Sequence, residues 1–587
     1  MASYRIEQSK RSKGIYVYIE RKYWEPARGT VSKNVQSFGY LHDLEKEYQD
    51  PIAHIQSIVD KLNEEEKSQK VTLSIDMSEE LEPNTDNTFN LGYAAILKVF
   101  HELDLNRFFQ NAARHQRFKY NTSAIMQLLV TNRILEPGSK KKAYDSKDKY
   151  FERFDFSLDD VYRSLSHFSE IKLKCQQYIH EQISAKFGRN TTVVYFDITN
   201  FYFEIDKEDG FRMRGKSKEG RSDPIVQMGL AMDADGIPLC YQTFPGNTHD
   251  SQILAPVITD LYVKFNPGRI IVVADMGVTS GDNIYFLKGG EEDKRINGYI
   301  FSYSIPKSSE DFKTYVTEEE GYTNINGNPL NEDYEFKIKS RVDVRYIDVT
   351  MQDGTKDKKK IDEKQVVFWS KKYADKAKAE RAKIIEKAEK IVNNPSGYKK
   401  KDTKGAELYL KNLTYDKKTG EIIDNPGILP ELDLNKIKAT ERLDGYYCIV
   451  TSELDMPDTE IIEHYRGLSD IEDNFKVSKS DLDVRPVYVP TEVKINAHVL
   501  CCFIALVILR LMEKKTGYTP AQIKECLSKI ICIKEVENTF LFSHRSVMSD
   551  VIGQAYDIDF TKKRLSRKEI TSLLADTKKQ SVKENLE

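Results

Sequence analysis

The chain has 587 residues, of which 40 % are hydrophobic and 31 % charged, the balance of a globular protein with several domains and a sizeable core. A net charge of −3 excludes a protein that is basic throughout, though a local basic groove can hide in a neutral total. The seven cysteines form no Cys-x-x-Cys pair, which argues against zinc knuckles and a disulfide framework and for a reducing cytoplasm.

The N-terminal "MASYRIEQSKRSKG" is polar and is no secretory signal. Alternation in "GIYVYIERKYWEP" and "KNVQSFGYL" predicts two strands, and a polar helix follows over 43–68, so residues 1–70 are expected to form a small β-hairpin plus helix. "LEPNTDNT" reads as part of a linker over 70–90. Within 71–188, apolar residues at spacings of three and four from Leu91 to Phe187 predict a helical unit. Its basic residues, Arg114, Arg117, Lys119, Arg133 and Lys140 to Lys142, either grip a DNA backbone or line a solvated bundle face.

Residues 189–305 switch to five strand-like runs, with a hairpin signal "ADG" between the second and third and a helix near 250–265. A meander, a helical crossover and further parallel strands make an α/β layer. Residues 306–443 are lysine-rich and polar, with one strand-like run "QVVFWS" and a charged helix near 371–393, and they read as an insertion into the core. Residues 444–515 resume the core, with a helix from about Pro457 and the apolar run "VLCCFIALVIL". That run is shorter than the roughly 20 residues of a membrane span and is expected to be a buried helix. The tail, 516–587, reads as helical and strand-poor, ending in a disordered charged stretch.

Three acids stand out against this background. Asp197 interrupts "TTVVYFDITNFYFE", and Asp275 ends the strand in "VVADMGVTSG". In "DTEIIEHYRGLSDIEDNFKVSK", read as one helix, Ile461, Tyr465, Leu468, Glu472, Phe475 and Lys479 share a mostly apolar face, so Glu472 is expected to be buried. Buried carboxylates are expensive and repel one another. Either each has a private partner, or the three share divalent cations. An oxygen-only donor set suits Mg²⁺ or Mn²⁺, and two such ions about 3.5–4 Å apart can drive phosphodiester chemistry.

"VVYFDITNFYFE", "RGKSKEGRSDPIVQMGLAMDADGIPLCYQTFPGNTHD", "IVVADMG" and "YRGLSDIEDNFKVSKSDLDVRPVYV" resemble the DDE transposases of bacterial insertion sequences, in the group with the Tyr-Arg-Glu-Lys signature (the IS-four superfamily). The resemblance implies a ribonuclease-H-like core interrupted by a mainly β insertion. It implies a metal triad of Asp197, Asp275 and Glu472 holding two Mg²⁺ or Mn²⁺ ions, with no membrane partner and no small-molecule cofactor. It further implies cut-and-paste transposition of DNA, with terminal inverted repeats and target DNA as partners, a homodimer or larger synaptic complex, and a cytoplasmic, nucleoid-associated location. In the signature, Tyr465, Glu472 and Lys479 fit, while Leu468 stands where arginine is expected, leaving Lys476 or Arg485 to supply that phosphate contact.

Other residues keep two readings each. Tyr465 either orients a phosphate or is a core tyrosine; Lys479 either contacts phosphate or complements the helix dipole. Arg485, before a proline, is expected to be extended and outward. The loop "FRMRGKSKEGR" offers Arg212, Arg214, Lys216, Lys218 and Arg221 as a DNA clamp or a solvated loop. His249 reads as a helix-start residue, and Trp369 as either a pocket for an unstacked base, as the family implies, or a small-sheet core residue. A ribonuclease-H-like nuclease that does not join DNA, and an inactive DNA-binding derivative, are the competing functions.

Overall fold

The computed structural model describes residues 3–25, 29–67, 78, 80, 83, 85–290, 297–331, 333–351, 353–400, 403–415, 422, 430–485, 487–535 and 538–579. The chain divides into two compact units, Met1–Asp86 and Asn87–Glu587. In the first, β1 (Ser3–Arg11), β2 (Gly14–Glu25) and β3 (Gly29–Tyr40) form an antiparallel meander, followed by α1 (Leu41–Glu47) and α2 (Pro51–Lys67). Alternation along β2 turns Val17 and Ile19 inward against Leu44, Ile55 and Val59. The expected hairpin is thus corrected to three strands. β1 pairs with β2 along its whole length, but its apolar side chains are only Tyr4 and Ile6, too few to give an alternation signal. Most of the expected linker lies outside the described residues; its end, β4 (Thr88–Asn90), is a strand.

In the second unit β4 is followed by α3 (Tyr93–Glu102), α4 (Leu105–Ala113), α5 (Thr122–Leu135), α6 (Lys140–Asp145), α7 (Leu158–Glu170) and α8 (Lys172–Lys186). Three of their starts are written locally. The side chains of Asn121, Ser139 and Ser157 accept backbone N–H groups of α5, α6 and α7, and Asp160 completes a capping box with Ser157. Two of the expected basic contacts do not reach solvent. Arg133 is buried and donates to the carbonyls of Leu482 (3.2 Å), Asp483 (3.0 Å) and Gly138 (2.6 Å). Lys140 is buried with its Nζ 3.0 Å from His498 Nδ1. Arg114, Arg117, Lys119, Lys141 and Lys142 remain exposed.

Next come β5 (Val193–Tyr202), β6 (Ile225–Met232), β7 (Pro238–Pro245), α9 (Leu254–Phe265), β8 (Ile271–Ala274), α10 (Gly281–Leu287) and β9 (Gly298–Ser302). The segment read as an insertion carries α11 (Glu310–Thr317), β10 (Phe336–Thr350), β11 (Lys356–Ser370), α12 (Lys371–Asn393), β12 (Leu410–Lys411), β13 (Glu431–Leu432) and α13 (Leu434–Glu441). After it stand β14 (Tyr446–Thr451), α14 (Asp458–Arg466), α15 (Leu468–Lys476) and α16 (Glu492–Thr516).

Eight of these strands form one sheet in the order β10-β11-β14-β9-β8-β5-β6-β7. β5, β8 and β9 run parallel to their neighbours in that set, and the other pairings are antiparallel. One face packs Val194, Phe196 and Val272 against Val257 and Leu261 of α9. On the other, Tyr195 and Val273 belong to a core that includes Ile461, Ile471 and Phe475. α16 is long and apolar enough to cross a membrane, but 94 % of its most apolar window is buried in the fold, so it is the expected core helix.

Two sequence expectations change here. The insertion is neither mainly β nor separate: its helices include the 23-residue α12, and β11 pairs with β14, so the β10–β11 hairpin forms the outer two strands of the main sheet. The strand "QVVFWS" was legible; its partner was not, because strand pairing across some 80 residues leaves no local signature. The far end of the hairpin is also fastened. The Thr350 N–H donates to Asp282 Oδ1 (2.6 Å) at the start of α10, and Gly281 lies against the Asp348 carbonyl with no room for a Cβ.

The tail is not strand-poor. Between α17 (Pro520–Lys529), α18 (Val547–Ala555) and α19 (Arg567–Asp576) lie β15 (Ile531–Lys534), β16 (Thr539–Phe542) and β17 (Arg564–Ser566). With β4 they make a four-stranded sheet in the order β17-β16-β15-β4. The strands are three or four residues long, below what periodicity can register. The charged stretch from residue 580 lies outside the described residues.

Candidate active site

The register of β5 on β8 sets the two aspartates side by side. Phe196 pairs with Ala274 in parallel, so Asp197, in the middle of β5, and Asp275, the first residue past β8, stand at the same level. A cleft of about 730 Å³ opens there, lined by Asp197, Asp275 and Glu472 together with Lys218, Tyr465 and Leu468. A second cleft, of about 710 Å³, shares Asp197, Asp275 and Lys218 and adds Lys216, His249, Asp250 and Lys307.

The acids are less buried than expected. Asp197 is half-buried, with its side chain 25 % exposed, while Asp275 and Glu472 are exposed. Asp275 stands just past the strand end, where the sheet no longer covers it. Glu472 is displaced by a break in its helix. At Gly467, where a Cβ would overlap the Tyr195 phenol, α14 ends and α15 begins, and a π-helical turn, Val477–Asp481, follows. The continuous stripe from Ile461 to Lys479 is therefore out of phase: Phe475 faces the core as expected, but Ile471 and Asn474 join it there in place of Leu468 and Glu472.

Burial raises the Asp197 carboxyl above the usual carboxylate range, and the neighbouring Asp275 adds to this, while Lys218 opposes it. Lys218 Nζ is 3.4 Å from Asp197 Oδ1 and also donates to the Ile198 carbonyl. Asp275 Oδ1 accepts from Ser302 Oγ (2.7 Å) and from the Tyr465 hydroxyl (3.2 Å), and the Tyr465 and Tyr447 hydroxyls lie 2.7 Å apart. Tyr465 thus orients a carboxylate. Burial pushes its phenol well above the ordinary range, so it stays a donor.

Among the described residues no three His, Cys, Asp or Glu side chains close up into a ligand cluster. Even so, the donor set fits a hard divalent cation. It is all oxygen, it pairs two adjacent carboxylates, and the charge on Asp197 is penalised where it stands. Asp197 and Asp275 would hold the ion, and Glu472 would join by swinging in from the rim of the cleft. Tyr465→Phe is expected to weaken Mn²⁺ binding about tenfold, the usual worth of a partner that orients a ligand, with little change in unfolding. Titration with Mn²⁺ followed by EPR checks this; unchanged affinity would remove Tyr465 from the site.

The expected phosphate contacts fare unevenly. Lys476 is exposed. Lys479 lies 3.7 Å from Glu219 Oε1, and Arg485 pairs with the same carboxylate, turned inward rather than outward, with its guanidinium 5.4 Å from the Tyr202 ring. The basic loop engages several of its own side chains, although Arg214, Lys216, Lys218 and Arg221 are exposed. Arg212 is held by Asp209 (2.7 Å), and Arg214 donates to the carbonyls of Asp206 (3.0 Å) and Ser222 (3.2 Å). Arg221 lies 4.0 Å over Tyr202, and only Lys216 and Lys218 reach the clefts. His249 caps the turn starting at Asp250, as expected, and lines the second cleft as well.

Trp369 does not line either cleft. Its ring N–H donates to the Asp444 carbonyl (3.0 Å), and its ring meets Tyr334 edge-on at 5.6 Å. Alternation on β11 instead points Phe368 into the acid cleft, where it joins Phe336, Tyr373 and Tyr447 in an aromatic wall. Neither this wall nor Ser302 and Glu219 was found in the sequence. Strand alternation carries a signal for Phe368, whereas the other side chains meet only through tertiary pairing.

Residues 189–508, more than half of the chain, match the family model of the transposase DDE domain. No curated protein matches the chain. Among solved structures, the Mos1 transposase paired-end complex with left transposon end is similar at 15 % identity and a TM-score of 0.12, over 38 % of this chain and 62 % of that one. The chain therefore spans less than two thirds of the Mos1 transposase chain.

Proposed function

The chain belongs to the transposase DDE-domain family, and from that premise we propose that it is the DNA transposase of an insertion sequence, with Asp197, Asp275 and Glu472 as its acidic triad. The observation that carries this reading is the parallel β5–β8 register, which sets Asp197 beside Asp275 in a cleft that Glu472 also lines. The strand order β7-β6-β5-β8-β9, with a meander followed by parallel strands, supports a ribonuclease-H-like core. Tyr465, Leu468, Glu472 and Lys479 support membership of the Tyr-Arg-Glu-Lys group, with leucine in the arginine position.

Two Mg²⁺ or Mn²⁺ ions held by the triad would supply an activated attacking oxygen and a stabilised leaving oxygen at a phosphodiester. The protein's own side chains do the positioning. Ser302 and Tyr465 fix the Asp275 carboxylate. Lys479 and Arg485 neutralise phosphates beside the acids, and Lys216 and Lys307 do so in the second cleft. Phe368, Tyr373 and Tyr447 offer bases a stacking surface, the role that one of the two readings gave to Trp369. Element ends are read by the helical region, through exposed Arg114, Arg117 and Lys119, and two copies of the chain hold both ends.

A strand-transfer assay tests this reading. An oligonucleotide copied from the repeats flanking the gene, with a free 3′-hydroxyl, is expected to become joined to plasmid DNA in the presence of Mg²⁺ or Mn²⁺. Metal-dependent cleavage without joining would instead favour a ribonuclease-H-like nuclease. Binding without cleavage would favour an inactive derivative.

A further inference from the structure

The loop from β5 to β6 carries a preformed turn at 216–221. Ser217 Oγ accepts the N–H groups of Glu219 and Arg221, both at 3.2 Å, and Gly220 holds the left-handed conformation at φ +69°. The turn sets two neighbouring residues of opposite charge on two different parts of the site. Lys218 sits on Asp197 and on the Ile198 carbonyl. Glu219 sits between Lys479 and Arg485.

Each is a chemical stand-in. An ammonium at the Asp197 carboxylate occupies the place of a bound cation. A carboxylate between a lysine and an arginine has the charge and the oxygen acceptors of a phosphate. These contacts are partly desolvated, since the side chains of Lys479, Arg485 and Glu219 are 17 %, 20 % and 29 % exposed. Water screens them less than a surface pair.

We propose that the 216–221 turn is a placeholder strap: in the DNA-free protein it covers the acid site, and a divalent cation and a phosphodiester displace it together. This rests on the roles proposed above for Asp197, Lys479 and Arg485. Because Lys218 and Glu219 are adjacent, a phosphate that takes Lys479 and Arg485 from Glu219 also draws Lys218 off Asp197. Phosphodiester binding therefore raises cation affinity, and by linkage the cation raises DNA affinity.

The test uses the full chain, a fluorescent duplex copied from the flanking repeats, and Mn²⁺ followed by EPR. Without metal, Glu219→Gln is expected to bind the duplex about tenfold more tightly, the worth of one charge-assisted contact. Lys218→Gln is expected to bind Mn²⁺ about threefold or more tightly without DNA, and in both variants the gain in Mn²⁺ affinity on adding duplex shrinks. Glu204→Gln, with the same charge change on the same loop, is expected to behave as the wild type. Amide hydrogen exchange over 216–221 in the unmutated protein should speed up when Mn²⁺ and duplex are both present. Wild-type behaviour of both strap variants, with exchange unchanged, overturns the strap. Asp197→Ala that keeps wild-type Mn²⁺ affinity overturns the underlying site reading instead, and failure of every form to bind Mn²⁺ or DNA overturns both.

Discussion

Asp197→Asn is expected to lower metal-dependent DNA cleavage by about a thousandfold or more while leaving the fold intact. Asparagine keeps the shape and an acceptor for Lys218 but not the anionic oxygens a divalent ion needs. Loss of several kcal/mol of transition-state charge stabilisation corresponds to that rate factor. Stability moves differently. The Asp197 carboxyl is raised in the folded protein, chiefly by burial. A raised carboxyl binds its proton more tightly folded than unfolded, so its ionised form subtracts stability above that pKa, and the deficit disappears as the pH falls through it. A permanently neutral asparagine avoids the deficit. The urea midpoint at neutral pH should therefore be unchanged or slightly higher, although the contact with Lys218 is weakened. Nicking of supercoiled plasmid with Mn²⁺, beside urea unfolding, separates the two effects. Cleavage at wild-type rate would remove Asp197 from the chemistry.

Asp233→Ala is expected to destabilise the fold by about 3–5 kcal/mol, because it strands a buried guanidinium. Arg189 Nε lies 2.8 Å from Asp233 Oδ2, and both side chains are fully buried. Arg189 also donates to the Pro238 carbonyl (2.8 Å), and Asp233 Oδ1 accepts the N–H groups of Asp235 (3.0 Å) and Ile237 (2.9 Å). The pair thus pins the approach to β5 onto the β6–β7 turn. Burial lowers the Arg189 pKa and raises that of Asp233, and each partner's charge opposes the other's shift. Removing the aspartate leaves a desolvated cation and two N–H groups without their acceptor. The double variant Arg189→Met/Asp233→Leu should recover much of the loss, since no buried charge is then left alone. Urea denaturation of the three variants measures this. A single-variant loss below about 1 kcal/mol would mean that water reaches the pair.

What the sequence disclosed follows from the range of its signals. The strands around Asp197 and Asp275 and the buried helix over 499–512 were legible, because hydrophobic runs and turn residues are local. The side-by-side setting of Asp197 and Asp275 was suggested by chemistry and by family resemblance, and it follows in the structure from a register that leaves no trace in either strand. Glu472 lines the cleft of the two aspartates, but not as part of one unbroken helical stripe. Treating Asp458 to Lys479 as one helix ignored Gly467, whose lack of a side chain admits the Tyr195 ring and resets the phase. Trp369 lies outside the cleft, whereas one residue earlier Phe368 points into it. Glu219 was unreadable, because its role depends on Lys479 and Arg485, more than 250 residues away.

The hairpin of β10 and β11 is moored at both ends, through β14 at its base and through Asp282 at its far end, and the stretch from Asp275 to Gly281 is strung between the sheet and that second mooring. A shortened gene product lacking 306–443 would thus be no streamlined enzyme. It would be one whose second aspartate had lost the hairpin fastened to the loop that follows it.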